Sequence, residues 1–475
     1  MSYKTIVGLE IHVELSTKTK AFCSCANEFG GEPNTRVCPT CLGLPGGLPV
    51  LNENVVNYSI MAGLALNCEI QKVSKFDRKN YFYPDLTKGF QITQDDMPIC
   101  EEGYLEIEGD EGLKKVGIFK IQMEEDTGKS LHTETYETLM DYNRCGVPLI
   151  EIVSKPEMNS GREARLFLEK LKSTLKYIGV SDVKMEEGSL RCDVNVNVVD
   201  ETSNRKTQVT EVKNINSFRG VEKAIDFEVQ RHIKLLEEDR DEIKTTRRWD
   251  DVNNETILMR EKYTVADYRF APEGDLVPVV LSDEWIEKVK ERLPELPEAK
   301  KNRFIEEYGL AEYDAEVLTS STQLANYFEE VAEHFEDRNM ISNWIMTEVL
   351  RRVDNIEDSF DLPFGPEDFA SLLKVIKEGK INNNAGKKVL REMFEKGKNP
   401  NEIIEEQGLL QISDSSEIEN IVENVLKENT QSIEDYKAGK DRAFGFLVGQ
   451  VMKASKGKAN PKIVNELLRE KLNNL

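Results

Sequence analysis

The stretch "KTIVGLEIHVEL" (residues 4–15) constrains this chain more than any other. Val7, Leu9, Ile11, Val13 and Leu15 alternate with Gly8, Glu10, His12 and Glu14, the period of two that sends one set to each side of a β-strand. One side is wholly apolar and the other unusually charged. "VGIFKIQME" (116–124) and "RCDVNVNVV" (191–199) repeat the style. In the latter, Cys192, Val194, Val196 and Val198 oppose Asp193, Asn195 and Asn197, and "TQVTEVKNI" (207–215) reads as a neighbouring strand. Helical periodicity interrupts at 160–179 and 219–236. These segments predict a large antiparallel sheet with one apolar and one polar face, the helices packed on the apolar face.

After "LPELP" (293–297) the pattern changes. Residues 301–309, 321–335, 342–353, 369–378 and 385–396 read as amphipathic helices, and 396–409 as a linker or short turn-helix. At 475 residues the chain is too long for one ordinary core. The expectation is an α+β protein: a cradle-like domain with a large antiparallel sheet over 1–293, then all-α parts, a helical domain over 294–406 and a small basic helical domain over 407–475.

No apolar run approaches a membrane span, and the start lacks a basic-then-apolar signal, so the expected compartment is the cytoplasm. There, eight cysteines mean thiols or metal ligands more often than disulfides. A net charge of −24 argues against general affinity for phosphate backbones. From Tyr436 to Leu475, however, nine Lys or Arg stand against three Asp or Glu, which suggests one local anionic contact or a solvated basic helix end.

Four of the cysteines, Cys23, Cys25, Cys38 and Cys41, form a C-x-C pair and a C-x-x-C pair twelve residues apart. Two close pairs on separate turns can bring four thiolates to one tetrahedral ion. Zinc is the first choice and an iron–sulfur cluster the second. A four-sulfur zinc site has no open position for substrate, so it is structural and the chemistry lies elsewhere.

Glu10, His12 and Glu14 share the polar face of the first strand. "MEEDTGKS" (123–130) adds three consecutive carboxylates, the oxygen ligands that Mg²⁺ prefers. Its "GKS" is not a phosphate-binding loop, since Met123 occupies the position where that motif needs glycine. "FDRKNYFYPDLTKGFQITQ" (76–94) carries Arg78, Lys79 and Lys88 on what reads as a long irregular loop. "YNRCGVPLIEIVS" (142–154) and "KMEEGSLRCDVNVNV" (184–198) also set charges beside glycine turns. Four such segments in one domain suggest a phosphoryl-transfer or ligase site using Mg²⁺ with lysine and arginine clamps.

"VGLEIHVEL", "FDRKNYFYPDLTKG", "EEDTGKS", "YNRCGVPLIEIVS", "MEEGSLRCDVNV", "NINSFR" (214–219), "ADYRF" (266–270) and "GFLVGQVMKASKGKANP" (445–461) together resemble the B subunits of the tRNA-dependent amidotransferases, over nearly the whole chain. The resemblance implies ATP- and Mg²⁺-dependent phosphorylation of the side-chain carboxylate of Glu-tRNA(Gln) or Asp-tRNA(Asn). Channelled ammonia then displaces phosphate to give the amide. It also implies a heterotrimer with an amidase-type glutaminase and a small third subunit, and tRNA bound by the basic tail. Glu10, His12 and Glu125 become the expected magnesium ligands, with Glu124 beside them. Strand alternation admits only one of Glu124 and Glu125 to the Glu10 face, and the resemblance alone ranks Glu125 first. Lys79 and Lys88 would contact phosphates or line the ammonia route, and Arg191 and Asp193 are further nucleotide-site candidates.

The chain departs from the family pattern at Gln122, where histidine is usual, so Gln122 is left out of the expected site. "RFAPEGDL" (269–276) also differs from the usual "RYFPEPDL". The competing readings are a non-catalytic zinc-bearing tRNA scaffold and the archaeal glutamine-only paralogue. The latter typically carries an insertion before its helical part, and none is visible between "LVPVV" and "LPELP".

Overall fold

The computed structural model describes residues 3–110, 112–133, 137–261, 268–353, 360–410, 415–437, 440–455 and 459–474. Ala266 and Asp267 of "ADYRF", and Lys456, Gly457 and Lys458 of the basic tail, lie outside them. The chain divides into two compact units, Met1–Leu296 and Pro297–Leu475.

The strands of the first unit are, in chain order, β1 (Tyr3–Glu14), β2 (Glu69–Ile70), β3 (Val73–Ser74), β4 (Asp77–Asn80), β5 (Phe90–Thr93), β6 (Cys100–Gly109), β7 (Gly112–Glu125), β8 (Lys129–His132), β9 (Thr138–Asp141), β10 (Pro148–Ser154), β11 (Leu190–Asp200), β12 (Arg205–Lys206), β13 (Thr210–Lys213), β14 (Thr245–Asp250), β15 (Glu255–Glu261), β16 (Ala271–Pro272) and β17 (Val279–Val280). Ten of them form one sheet in the order β15-β14-β13-β11-β1-β10-β7-β6-β2, with β12 paired to β11. The pairings are antiparallel except β13 with β14, which run parallel, so the sheet is mixed. Helix α3 (Phe218–Glu237) supplies the crossover a parallel pair needs.

The alternation in β1 is realised as expected. Val7, Leu9, Ile11, Val13 and Leu15 are buried in a core shared with α1 (Glu53–Ala65), α2 (Gly161–Tyr177) and α3. Helix α1 carries no sequence warning, because it is apolar nearly all round ("VVNYSIMAGLA") and buries most of its surface. Helices α2 and α3 begin on Ser160 and Ser217, whose side chains accept hydrogen bonds from the Glu163 and Gly220 amides.

Helix α3 also buries an ionic cluster. The Glu228 carboxylate is wholly buried and takes Arg231 Nη2 at 2.8 Å, Arg247 Nε at 3.2 Å and His232 Nε2 at 3.3 Å, with a hydrogen bond from Thr256. Thr207 and Thr210 hold the ring nitrogens of His232 at 2.6 and 2.9 Å.

One expectation is corrected. The segment 76–94 is not wholly irregular: β4 and β5 pair antiparallel within it, and β16 adds a third strand. Its mixture of charge and aromatics hid the strand pattern, because Arg78 lies over the Phe90 ring at 4.4 Å while forking onto Glu273 at 2.8 and 2.7 Å.

The second unit is helical among its described residues. One apolar cluster runs from Phe304 to Ile404 and another from Ile418 to Leu472. The helix expected over 342–353 starts at Arg338 and widens into a π-helical turn over Ile345–Val349. No helix in the described residues is long and apolar enough to cross a membrane.

Candidate active site

The charged side of β1 is the floor of the site. In the sheet, His12 pairs with Arg191 of β11 on one side and Glu151 of β10 on the other, and Glu151 in turn pairs with Gln122 of β7. Because cross-strand partners share a face, this register lines up Arg191, His12, Glu151 and Gln122 across four strands. Two residues further along β7, Glu124 joins the same face.

These residues meet. His12 Nε2 stands 3.6 Å from Glu124 Oε2, and His12, Glu124 and Glu151 each offer a ligand atom within 4.8 Å of the others. Glu124 is buried and accepts hydrogen bonds from Thr93 Oγ1 at 2.5 Å, Gln122 Nε2 at 3.0 Å and Gln91 Nε2 at 3.2 Å. Burial works to raise the Glu124 carboxyl, but the bond to His12, the charges of His12 and Lys79 and the bond from Thr93 outweigh it and hold it at about 2. Glu151 goes the other way: burial first and the Glu124 charge second push it up to about 7. Burial opposes the His12 imidazolium, yet Glu124 and Glu151 overcome it and raise its pKa.

Gln122 sits in the middle of this group rather than outside it. Its Nε2 bridges Glu151 Oε2 at 2.6 Å and Glu124 Oε1 at 3.0 Å. Its Oε1 is buried with no hydrogen-bond partner. Two carboxylates, an imidazole and an orphaned amide oxygen form a donor set that fits a hard divalent cation.

Glu125, expected with His12, is not brought there. One residue along β7 it faces the other way, as the alternation requires. There it forms an ion pair with Lys88 and accepts the Ile92 amide at 3.1 Å. Lys79 is next to the His12 group: its ammonium lies 5.1 Å over the Tyr268 ring, and its charge helps depress Glu124.

Glu10 and Asp193 are brought together, with Glu211 as a third member, in a separate acidic group within the same 4.8 Å limit. Lys213 neutralises it, pairing with Asp193 and reaching Glu211 at 3.3 Å, while Asn195 Nδ2 donates to Glu10 at 3.0 Å. Arg191 instead pairs with Asp126 at 2.5 Å, and Arg144 Nε stands 3.5 Å from the same oxygen. The burial of Glu14 and its nearness to Asp126 push the Glu14 carboxyl up to about 8.

Glu151, Glu211, Lys213 and Gln122 were not among the residues expected from sequence. Glu151 left a usable signal, a single acid in the apolar strand "PLIEIVS". The others are defined only by register.

The four cysteines Cys23, Cys25, Cys38 and Cys41 lie together with their sulfurs within 4.8 Å of one another, all unpaired as disulfides. The Cys38 and Cys41 sulfurs are 3.8 Å apart. That is the edge of about 3.8 Å that a tetrahedron of sulfurs makes around zinc with bonds of roughly 2.3 Å. The Cys38 amide donates to Cys41 Sγ at 3.1 Å. This knuckle presses on the Lys88–Glu125 pair: Thr87 Oγ1 donates to the Cys41 carbonyl at 2.8 Å. Gly43, at φ +67°, leaves room for Lys88, whose Cγ would lie 2.7 Å from an added Cβ.

A sheet with a partly buried acid–imidazole face, followed by a helical unit, places the chain in a defined class: the model of the GatB/GatE catalytic domain matches residues 5–287, and that of the GatB domain matches residues 326–472. Over 477 aligned residues covering all of both chains, it is 54% identical to the B subunit of the aspartyl/glutamyl-tRNA(Asn/Gln) amidotransferase of Clostridium botulinum (strain Okra / Type B1). It is 54% identical to the B subunit numbered 1 of Clostridium acetobutylicum over all of both chains, and 52% to the B subunit of Caldicellulosiruptor saccharolyticus over 99% of each. The chain belongs to the family of aspartyl/glutamyl-tRNA(Asn/Gln) amidotransferase B subunits.

Proposed function

We propose that this chain is the activating component of a cytoplasmic tRNA-dependent amidotransferase. It uses ATP and Mg²⁺ to move a phosphoryl group onto the side-chain carboxylate of Glu-tRNA(Gln) or Asp-tRNA(Asn), with ADP as leaving group. Ammonia then attacks the activated carbonyl carbon, phosphate departs, and Gln-tRNA(Gln) or Asn-tRNA(Asn) results. A carboxylate resists ammonia until its oxygen becomes a leaving group, which is why the reaction requires the phosphoryl step.

The observation that carries this reading is the group formed by His12, Glu124 and Glu151 with the orphaned Gln122 oxygen. These residues would hold Mg²⁺, which supplies charge neutralisation for the phosphates. Lys79, beside Glu124, is positioned for the nucleotide or substrate phosphates, and Arg191 and Asp193 border the same face. Lys88 and Glu125, on the other side of β7, suit the route by which ammonia arrives. Cys23, Cys25, Cys38 and Cys41 would hold a structural zinc. The basic tail would meet tRNA, and an amidase-type glutaminase with a small third subunit would complete the heterotrimer.

The test uses the heterotrimer with Glu-tRNA(Gln), ATP, Mg²⁺ and ammonium chloride, which bypasses the glutaminase. ATP-dependent Gln-tRNA formation, lost in Glu124→Gln with tRNA binding intact, supports the reading. No product from a folded, tRNA-binding wild-type complex overturns it.

A further inference from the structure

Lys20 is among the largest fully buried side chains of the chain, with no exposed surface. Among the described residues its ammonium has no carboxylate partner. Its Nζ donates to the Arg36 carbonyl at 2.8 Å and to Cys41 Sγ at 3.8 Å. A buried ammonium without a compensating anion is strongly disfavoured. Four thiolates around one divalent ion carry a net charge of −2 and supply that anion.

We propose that Lys20 is the built-in counter-charge of the four-cysteine metal site, and this rests on the reading of Cys23, Cys25, Cys38 and Cys41 as zinc ligands. Metal binding deprotonates the thiols and leaves a dianionic site in a dry setting. The fixed positive charge at Cys41 favours that loaded, dianionic site. The geometry supports a dedicated role. The Lys20 backbone amide donates to the Cys25 carbonyl at 3.0 Å, so the segment that carries the lysine is tied to the first cysteine pair while its ammonium reaches the second. Lys20 is thus an outer-shell positioning residue of the kind that tunes metal retention.

The test measures zinc content of the full chain, then the rate of zinc transfer to a chromophoric chelator and the pH midpoint of zinc loss. Wild type is expected to carry about one zinc per chain. Lys20→Met is expected to load zinc but release it at least tenfold faster, with its midpoint moved to higher pH, and Lys20→Arg is expected to restore both. Equal rates and midpoints in wild type and Lys20→Met overturn the proposal while leaving the zinc reading intact. Absence of zinc from wild type overturns both. If Lys20→Met does not fold, Lys20→Arg must recover folding and zinc retention, and its failure to do so overturns the counter-charge role.

Discussion

His12 and Glu124 meet at 3.6 Å although a whole strand lies between the two that carry them. β10 runs between β1 and β7, and its own contribution at that level is Glu151. Three neighbouring strands therefore each send one ionisable group to a single spot on the polar face. The next residue of β7, Glu125, is spent on Lys88 at the opposite side.

This separation predicts different failures for neighbouring carboxylates. In the ammonia-driven assay, Glu124→Gln is expected to lower ATP-dependent product formation at least a hundredfold, as loss of a proposed magnesium ligand should. Glu125→Gln is expected to keep substrate-dependent ATP cleavage within about fivefold of wild type and to lose mainly amide formation. Equal loss of ATP cleavage in both variants would contradict the separate roles proposed for Glu124 beside His12 and Glu125 beside Lys88.

Gly43→Ala tests the contact between the cysteine knuckle and Lys88. The backbone there is left-handed, costing a non-glycine residue roughly 1–2 kcal/mol, and the new methyl would press on Lys88. Zinc content is expected to stay near wild type while amidation falls by about tenfold. A variant with full activity would show that Lys88 can move without consequence.

The cluster on α3 sets a pH dependence of stability. Burial works to raise the Glu228 carboxyl, but the bonds from His232, Arg231 and Thr256 outweigh it and hold it at about 2, against 4.5 unfolded. A depressed carboxyl contributes its stability above the unfolded value and loses it as pH falls from about 4.5 toward 2. The loss is on the order of 3 kcal/mol. Urea titrations between pH 7 and pH 3 are expected to show roughly 2 kcal/mol of it. In Glu228→Gln this part of the pH dependence should vanish, and stability at pH 7 should fall by about 3 kcal/mol through the arginines left unpaired.

Cys25→Ser removes one of the four proposed zinc ligands while leaving the core beneath untouched. Zinc content is expected to fall below half of wild type, and the melting temperature to drop by more than about 5 °C, since metal affinity is folding free energy. An unchanged melting curve would mean that the knuckle holds itself shut without metal.

The sheet was legible because β1 and β11 keep a strict period of two, and the polar side of β1 correctly announced where charge gathers. The amphipathic α2 and α3 were legible for the same reason at helical period. What alternation cannot supply is phase between strands. It says that only one of Glu124 and Glu125 faces Glu10, but the choice depends on the pairing of Glu151 with both His12 and Gln122, which no local pattern encodes. Family resemblance favoured Glu125, and the register puts Glu124 beside His12. Gln122 was set aside for its chemistry as a single residue, whereas its position between two carboxylates exists only in three dimensions. Lys20 had no signature at all, being one lysine in a polar stretch.

Glu124, Glu125 and Asp126 are consecutive, yet each answers to a different partner: His12, Lys88 and Arg191. Alternation along β7 separates Glu124 from Glu125, and Asp126 stands one residue past the end of the strand. The pairing of β10 with β7 is irregular between Val153 and Ser154 and unbroken from Val153 to the carboxylates. Loss or gain of a single codon between Lys120 and Glu124 would thus leave every acid present in the gene while handing each one its neighbour's job. Reading frame can be preserved there and function still lost, so this short piece of β7 should tolerate substitutions far better than changes of length.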